Sequence, residues 1–292
     1  MNEFLRTDTA MSALSSMRTG GIAPVACFPE TEQSLCDTVR RLTEEHKRFF
    51  VFGNLSNVLL PDGTLDFVPV ITTGIKTVTV TDTDDGIDVY AACGVSLTGL
   101  ALEFCRRDYA GLSFAYGIPG TVGGAVFMNA GAYGSEMKNI VRAVRFYDID
   151  ADTVCEIPAS DCGFGYRTSV FAHKNGVILG ASLSLAACES GKALAEAKDF
   201  MERRREKQPL EYPSCGSAFK RPEGYFAGEL IEKCGLKGYA VGGACVSEKH
   251  AGFVVNKGGA TSADVEKLLC DVRAKVLQTF GVELEPEIRI IK

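Results

Sequence analysis

The chain has 292 residues, of which 46% are hydrophobic and 23% charged, enough for one large domain or two to three small ones with a sizeable core. A net charge of −6 offers nothing to nucleic acid or to an anionic membrane, and no apolar run approaches the roughly 20 residues of a membrane span. The opening MNEFLRTDTAMSALSS is not a basic segment followed by an apolar one, so no leader and a cytoplasmic protein are expected. Eleven cysteines are scattered without a C-x-x-C pair, several in apolar runs (Cys93, Cys105, Cys245, Cys270). That pattern predicts buried thiols in a reducing compartment rather than a metal site.

Residues 31–48 place Leu35, Val39 and Leu42 on one face of a helix. Residues 49–60 read as a short apolar strand and a turn. Residues 67–92 alternate like antiparallel strands about the polar turn Asp82–Gly86. A second helix is expected over 95–107, then a glycine-rich loop from Gly117 to Gly134. Residues 141–150 and 153–159 read as a hairpin, and 176–186 as a buried strand. Composition shifts at Ala187–Lys192, where a charged helix begins that ends before Pro209. This places a domain boundary at 188/189. Helices follow near Phe226–Cys234 and from a Thr261/Ser262 cap through Asp264–Phe280, and residues 282–292 read as a terminal strand.

The loop, GIPGTVGGAVFMNAGAYG, holds six glycines in eighteen residues and is flanked by apolar Leu112, Phe114, Val126 and Met128. An ordered loop of this kind can turn its N–H groups toward an anion such as a dinucleotide pyrophosphate. A tight turn cluster in a β-rich domain is the alternative. No G-x-G-x-x-G follows a strand and no G-x-x-x-x-G-K-[ST] exists, so neither a Rossmann fold nor a P-loop is indicated. Four further segments carry candidate chemistry. GNLSNVL (53–59) is either an anion-binding turn or a plain one. Arg167, in FGYRTSVF, either meets an anion or lies over apolar neighbours at the surface. Ser217, in PSCGSAFKRP, sits between two prolines in what reads as a rigid loop. It lacks a nucleophile elbow and suits a proton donor better than a Ser–His acyl carrier. Glu287, in LEPEIRII, is either inward-facing or a solvated charge alternating with Ile288, and His250 is left open between a loop role and a functional one.

Together these stretches resemble the bacterial UDP-N-acetylenolpyruvoylglucosamine reductase family, flavoenzymes of peptidoglycan synthesis. The matching segments are SSMRTGGIA, FVFGNLSNVLL, GLSFAYGIPGTVGGAVFMNAGAYGSE, GYRTSVF, QPLEYPSCGSAFKRP, LIEKCGLKGYAVGGACVSEKHAGFVVN and FGVELEPEIRII. They occur in the family's order over almost the whole length.

The resemblance implies an α+β protein with an FAD-binding fold of the vanillyl-alcohol-oxidase type. Residues 1–188 would bind FAD, in two subdomains of about 1–72 and 73–188, and 189–292 would form a C-terminal α+β substrate domain. FAD, non-covalent because no histidine adjoins the loops, would meet Gly53, Asn54, Leu55, Ser56 and Asn57. On the second loop it would meet Gly117, Ile118, Pro119, Gly120, Thr121, Gly123, Gly124, Asn129 and Gly131. NADPH would be the co-substrate and a UDP-sugar the substrate, held by Tyr166, Lys220 and Arg221. Arg167, Ser217 and Glu287 match the catalytic residues, and a monomer is expected. Leu55 stands where the family usually has glycine, Cys215 where it has alanine and Arg221 where it has asparagine, and the length suits the shorter subtype. Two other readings remain: a flavin oxidase of the same fold, marked by rapid reaction of the reduced enzyme with oxygen, and a colourless, non-catalytic nucleotide-sugar binder.

Overall fold

The structure, a computed structural model, describes residues 4–292. It begins with β1 (Leu5–Ala10), β2 (Ile22–Cys27), α1 (Glu32–Glu44), β3 (Phe49–Phe52), β4 (Val58–Leu59) and β5 (Val68–Ile71). Then come β6 (Val78–Thr83), β7 (Gly86–Ala92), α2 (Leu97–Arg106), α3 (Val122–Phe127), β8 (Gly131–Ala132) and β9 (Ser135–Glu136). The middle closes with β10 (Val141–Asp148), β11 (Thr153–Pro158), β12 (Gly176–Ala186) and α4 (Lys192–Lys207). The last part holds β13 (Ser214–Ser217), α5 (Ala227–Lys233), β14 (Ala240–Val241), β15 (Ala244–Val246), β16 (Phe253–Asn256), α6 (Ser262–Phe280) and β17 (Arg289–Ile290).

The chain divides into two compact units. One holds the residues up to Arg6, Val25–Asn54 and Phe67–Arg203, and the other holds Thr7–Pro24, Leu55–Asp66 and Arg204–Lys292. The chain therefore changes unit within the 53–57 turn and again inside α4.

In the first unit, α1 starts because Thr31 and Ser34 cap each other. The Thr31 hydroxyl accepts the Ser34 N–H at 3.0 Å, and the Ser34 hydroxyl accepts that of Thr31 at 3.0 Å. The helix buries Leu35, Val39 and Leu42, as their spacing predicts, together with Cys36. Its main sheet has the order β11-β10-β12-β7-β6, antiparallel throughout, with α3 packed on β12 and β7. The stretch 67–92 is not all antiparallel, contrary to the expectation from its alternation. Its first strand, β5, pairs in parallel with β2 and β3 in a separate sheet, and only β6 and β7 form the hairpin. The run VPVI is apolar without alternation, which suits a parallel strand buried on both faces.

The second unit is built on the antiparallel sheet β13-β16-β15-β14 with α5 and α6, around a core that includes Met17, Leu59, Val254, Leu268, Val272 and Ile288. The α6 N-terminus is capped twice. Thr261 and Asp264 form a capping box, and the Asp62 carboxylate accepts the N–H groups of Ser262 and Ala263, each at 3.0 Å. The expected terminal strand shrinks to two residues, β17, parallel to β4. Pro286 cannot donate to a ladder, and only an isolated bridge to Phe219 forms before it ends.

All eleven cysteines are free thiols, and seven are buried. Cys270, expected in the core, is exposed: α6 buries positions 265, 268, 269, 272 and 276, and 270 falls on the opposite face.

Candidate active site

Two of the sequence-predicted loops meet in the first unit. The Asn54 side-chain amide donates to the Pro119 carbonyl at 2.6 Å, and a Cβ at Gly53 would collide with the Thr121 hydroxyl. Glycine at 53 is thus required by the close approach of the second loop. That loop is pinned from below by Thr98, whose hydroxyl accepts the Gly117 N–H at 3.0 Å and donates to the Ile118 carbonyl at 2.8 Å. Thr98 carries no sequence signal for this duty, because it sits in the first turn of α2. The expectation of one continuous loop needs correction, because α3 begins inside it. Thr121 caps the helix by accepting the Gly124 N–H at 3.4 Å, and Gly123 and Gly124 lie in its first turn. Gly123 is there for packing, since a Cβ would stand 2.8 Å from the Cβ of Cys93. Within the second loop Gly117 has φ 89°, a conformation that favours glycine. Leu55, where the chain passes to the second unit, also has positive φ, 49°.

Arg167 lies in the same unit, half-buried, at φ 56°. Its Nη2 donates to the Gly131 carbonyl at 2.9 Å, and its guanidinium carbon stands 5.0 Å from the ring centroid of exposed Tyr166. The Asn129 carboxamide, expected at the cofactor, is engaged with protein at both ends. Its Nδ2 donates to Glu136 Oε2 (3.0 Å) and to the Gly165 carbonyl (2.9 Å), and its Oδ1 accepts the Lys138 N–H (2.9 Å).

Ser217 and Glu287 belong to the second unit. Ser217 lies on β13 rather than in a loop, a further correction. The register moves from Ser214 opposite Val255 to Ser217 opposite Phe253, so one extra residue is accommodated there, with Gly216 at φ 77°. Such a bulge re-aims the side chain that follows it, and Ser217 is exposed. Cys215, on the same bulge, is buried. Its thiol donates to the Val58 carbonyl at 3.4 Å and is pushed up to about 12 by desolvation, so it is an inert core thiol. The segment 218–220 then runs antiparallel to 285–287. The Glu287 N–H donates to the Ala218 carbonyl (2.9 Å) and the Lys220 N–H to the Glu285 carbonyl (2.8 Å). The Glu287 carbonyl accepts Asn57 Nδ2 at 3.0 Å, which fixes the segment from the other side. Glu287 is half-buried, between the inward-facing and the solvated positions that the sequence left open, while Ile288 enters the core.

Lys220 is paired with Glu285 at 2.5 Å, and the Arg221 guanidinium stacks 3.9 Å above the Phe226 ring centroid. His250 resolves as structural: Nδ1 accepts the Gly252 N–H at 3.0 Å, and burial lowers its pKa, so the ring stays neutral.

Comparison with known proteins accounts for both halves of the chain. Residues 23–156 match the family described as FAD binding domain, and 208–291 match that described as UDP-N-acetylenolpyruvoylglucosamine reductase, C-terminal domain. The UDP-N-acetylenolpyruvoylglucosamine reductase of Clostridium perfringens is 40% identical over 99% of this chain and 93% of its own. That of Limosilactobacillus reuteri is 42% identical over 100% and 97%. The crystal structure of UDP-N-acetylenolpyruvylglucosamine reductase from Thermus caldophilus superposes with a TM-score of 0.81 at 30% identity, covering 99% of this chain and all of that one. The α+β class and an FAD-binding domain followed by a reductase domain agree with the expectation from sequence.

Proposed function

The chain belongs to the UDP-N-acetylenolpyruvoylglucosamine reductase family, and on that premise we propose that it reduces UDP-N-acetylglucosamine enolpyruvate to UDP-N-acetylmuramate with NADPH and FAD. The observation that carries the proposal is local. Backbone pairing of 218–220 with 285–287 holds the stretch that follows Ser217 against the stretch that ends in Glu287, both within one unit, and Ser217 stays exposed at its bulge.

The first-unit junction fits a non-covalent dinucleotide. Two loops are locked together by the Asn54–Pro119 bond, and close approach excludes a side chain at Gly53. Gly53–Asn57, Gly117–Thr121, Gly123, Gly124 and Gly131 are assigned to FAD. When bound, FAD supplies the two-electron relay from NADPH to substrate. The remaining work falls to side chains of this chain. Hydride adds to the terminal carbon of the enolpyruvyl group, and negative charge grows on the carbon bearing the carboxylate. Arg167 offers a fixed cationic fork to that charge. Ser217 Oγ donates the proton that completes addition at that carbon, and as an exposed hydroxyl it is reprotonated from water. Glu287 assists only while it carries or shares a proton, because a bare carboxylate would oppose the developing charge. Tyr166, Lys220 and Arg221 are assigned to substrate binding. The chain acts as a cytoplasmic monomer. The free thiols support this compartment, and no helix among the described residues is long and apolar enough to cross a membrane.

Stopped-flow measurement of the two half-reactions tests the assignment. Ser217→Ala is expected to bleach with NADPH at nearly the normal rate and to reoxidise with the enolpyruvyl substrate about 10²–10⁴-fold more slowly. Ser217→Cys retains more activity, since a thiol still carries a proton. Equal slowing of both steps would mean that Ser217 shapes the flavin site and gives no proton.

A further inference from the structure

Three non-glycine residues with left-handed backbone, Asn129 (φ 42°), Tyr133 (φ 54°) and Arg167 (φ 56°), belong to one hydrogen-bonded network in the first unit. Such a residue persists only where its surroundings over-determine it. The network is organised around Asn129, which is 0% exposed. One Nδ2 hydrogen bond, to the Gly165 carbonyl, holds the chain two residues before Arg167. The bonds to Glu136 Oε2 and from the Lys138 N–H hold the β8–β9 hairpin, and Gly131 of that hairpin supplies the carbonyl on which the Arg167 guanidinium rests. Two further ties close the frame. Ser169 Oγ donates to the Phe127 carbonyl at 2.6 Å, two residues after Arg167. Tyr133, at the hairpin tip, stacks on Phe200 with centroids 4.3 Å apart and planes 6° apart, and its hydroxyl donates to the Phe200 carbonyl at 3.0 Å.

We infer that Asn129 is a positioning residue for Arg167, holding in one carboxamide both the backbone that carries the guanidinium and the hairpin that orients it. The inference rests on the charge-stabilising role assigned to Arg167 above. Asparagine is suited to the place on two counts. It tolerates left-handed φ better than other non-glycine residues, and its amide offers both donor and acceptor. A shift of about 1 Å in a group that must meet developing charge costs about 10²-fold.

The test compares Asn129→Ala, Arg167→Ala and the double variant as flavin-loaded enzymes. Asn129→Ala is expected to keep its flavin spectrum and NADPH bleaching rate. It should lower kcat and the reoxidation rate about 10–10²-fold, with little change in KM for the enolpyruvyl substrate. In the Arg167→Ala background it should add almost nothing, because the group it positions is gone. Asn129→Asp keeps the shape and the acceptor for the Lys138 N–H but loses both donors, and it gives the same reading where the alanine variant holds too little flavin. Normal reoxidation by Asn129→Ala beside a slow Arg167→Ala overturns the positioning role alone, as does an additive loss in the double variant. Normal reoxidation by Arg167→Ala overturns the parent reading and this one with it.

Discussion

Leu55 holds a left-handed backbone, a conformation that suits glycine, yet its side chain is only 4% exposed. Relieving the φ would return about 1–2 kcal/mol, while removing a buried leucine costs about 3–5 kcal/mol. Burial wins, so Leu55→Gly is expected to lower stability by about 1–4 kcal/mol in chemical denaturation. A more stable variant would show that backbone strain outweighs burial at this position. The Arg221 guanidinium carbon stands 3.9 Å from the Phe226 ring centroid, a cation–π contact that holds the side chain over that ring. Arg221→Asn is expected to raise KM for the sugar nucleotide by no more than the roughly 1.5–3 kcal/mol of a charge-assisted contact, and an unchanged KM would remove Arg221 from the substrate. His250 makes a pH prediction. Its folded pKa lies below the ordinary value of 6.5, with burial as the main cause. Its stabilising share is therefore complete above about pH 6.5 and is lost as pH falls through the lower folded value. His250→Gln should flatten this part of the stability–pH curve.

At the scale of elements, the sequence was legible where one residue type has one physical reason to be there. The Leu35–Val39–Leu42 stripe announced α1, and the Thr261/Ser262 cap announced α6. Illegible features depended on partners distant in sequence. Nothing in VPVI says that it pairs in parallel, and nothing in PSCGS says that an added residue opposite Val255 and Phe253 turns a strand and exposes Ser217. The glycine density of 117–134 hid a helix at 122–127, because Gly123 serves packing on Cys93. Gly123→Ala is accordingly expected to destabilise the protein by about 1–3 kcal/mol, the cost of overpacking, although alanine is the better helix former by about 1 kcal/mol. Thermal unfolding with the flavin bound and removed would separate this packing cost from any effect on cofactor affinity. Equal stability would mean that β7 and α3 yield without strain. The candidate site was legible as a set of residues, but the work of Asn129, Thr98 and Ser169 was not, since each acts through a backbone carbonyl or amide that no sequence pattern marks.

For the molecule as a whole, acid precipitation is expected to release yellow flavin into the supernatant, and sedimentation to give the mass of one chain. Colour in the pellet would establish a covalent link. The division into units carries a further consequence for how the protein is made. Met17 and Leu59 belong to a core completed by residues between 215 and 290, so the second unit collects segments from both ends of the chain. At about 5–20 residues per second, those early apolar side chains wait roughly 8–55 s on the ribosome before their partners emerge. Interrupted synthesis would leave the nascent chain with a first core able to condense and a second reduced to exposed fragments. A chain stopped after Arg203 should accordingly fold its larger sheet yet aggregate. Supplying residues 204–292 in trans should restore solubility only if it arrives before the orphaned segments find one another.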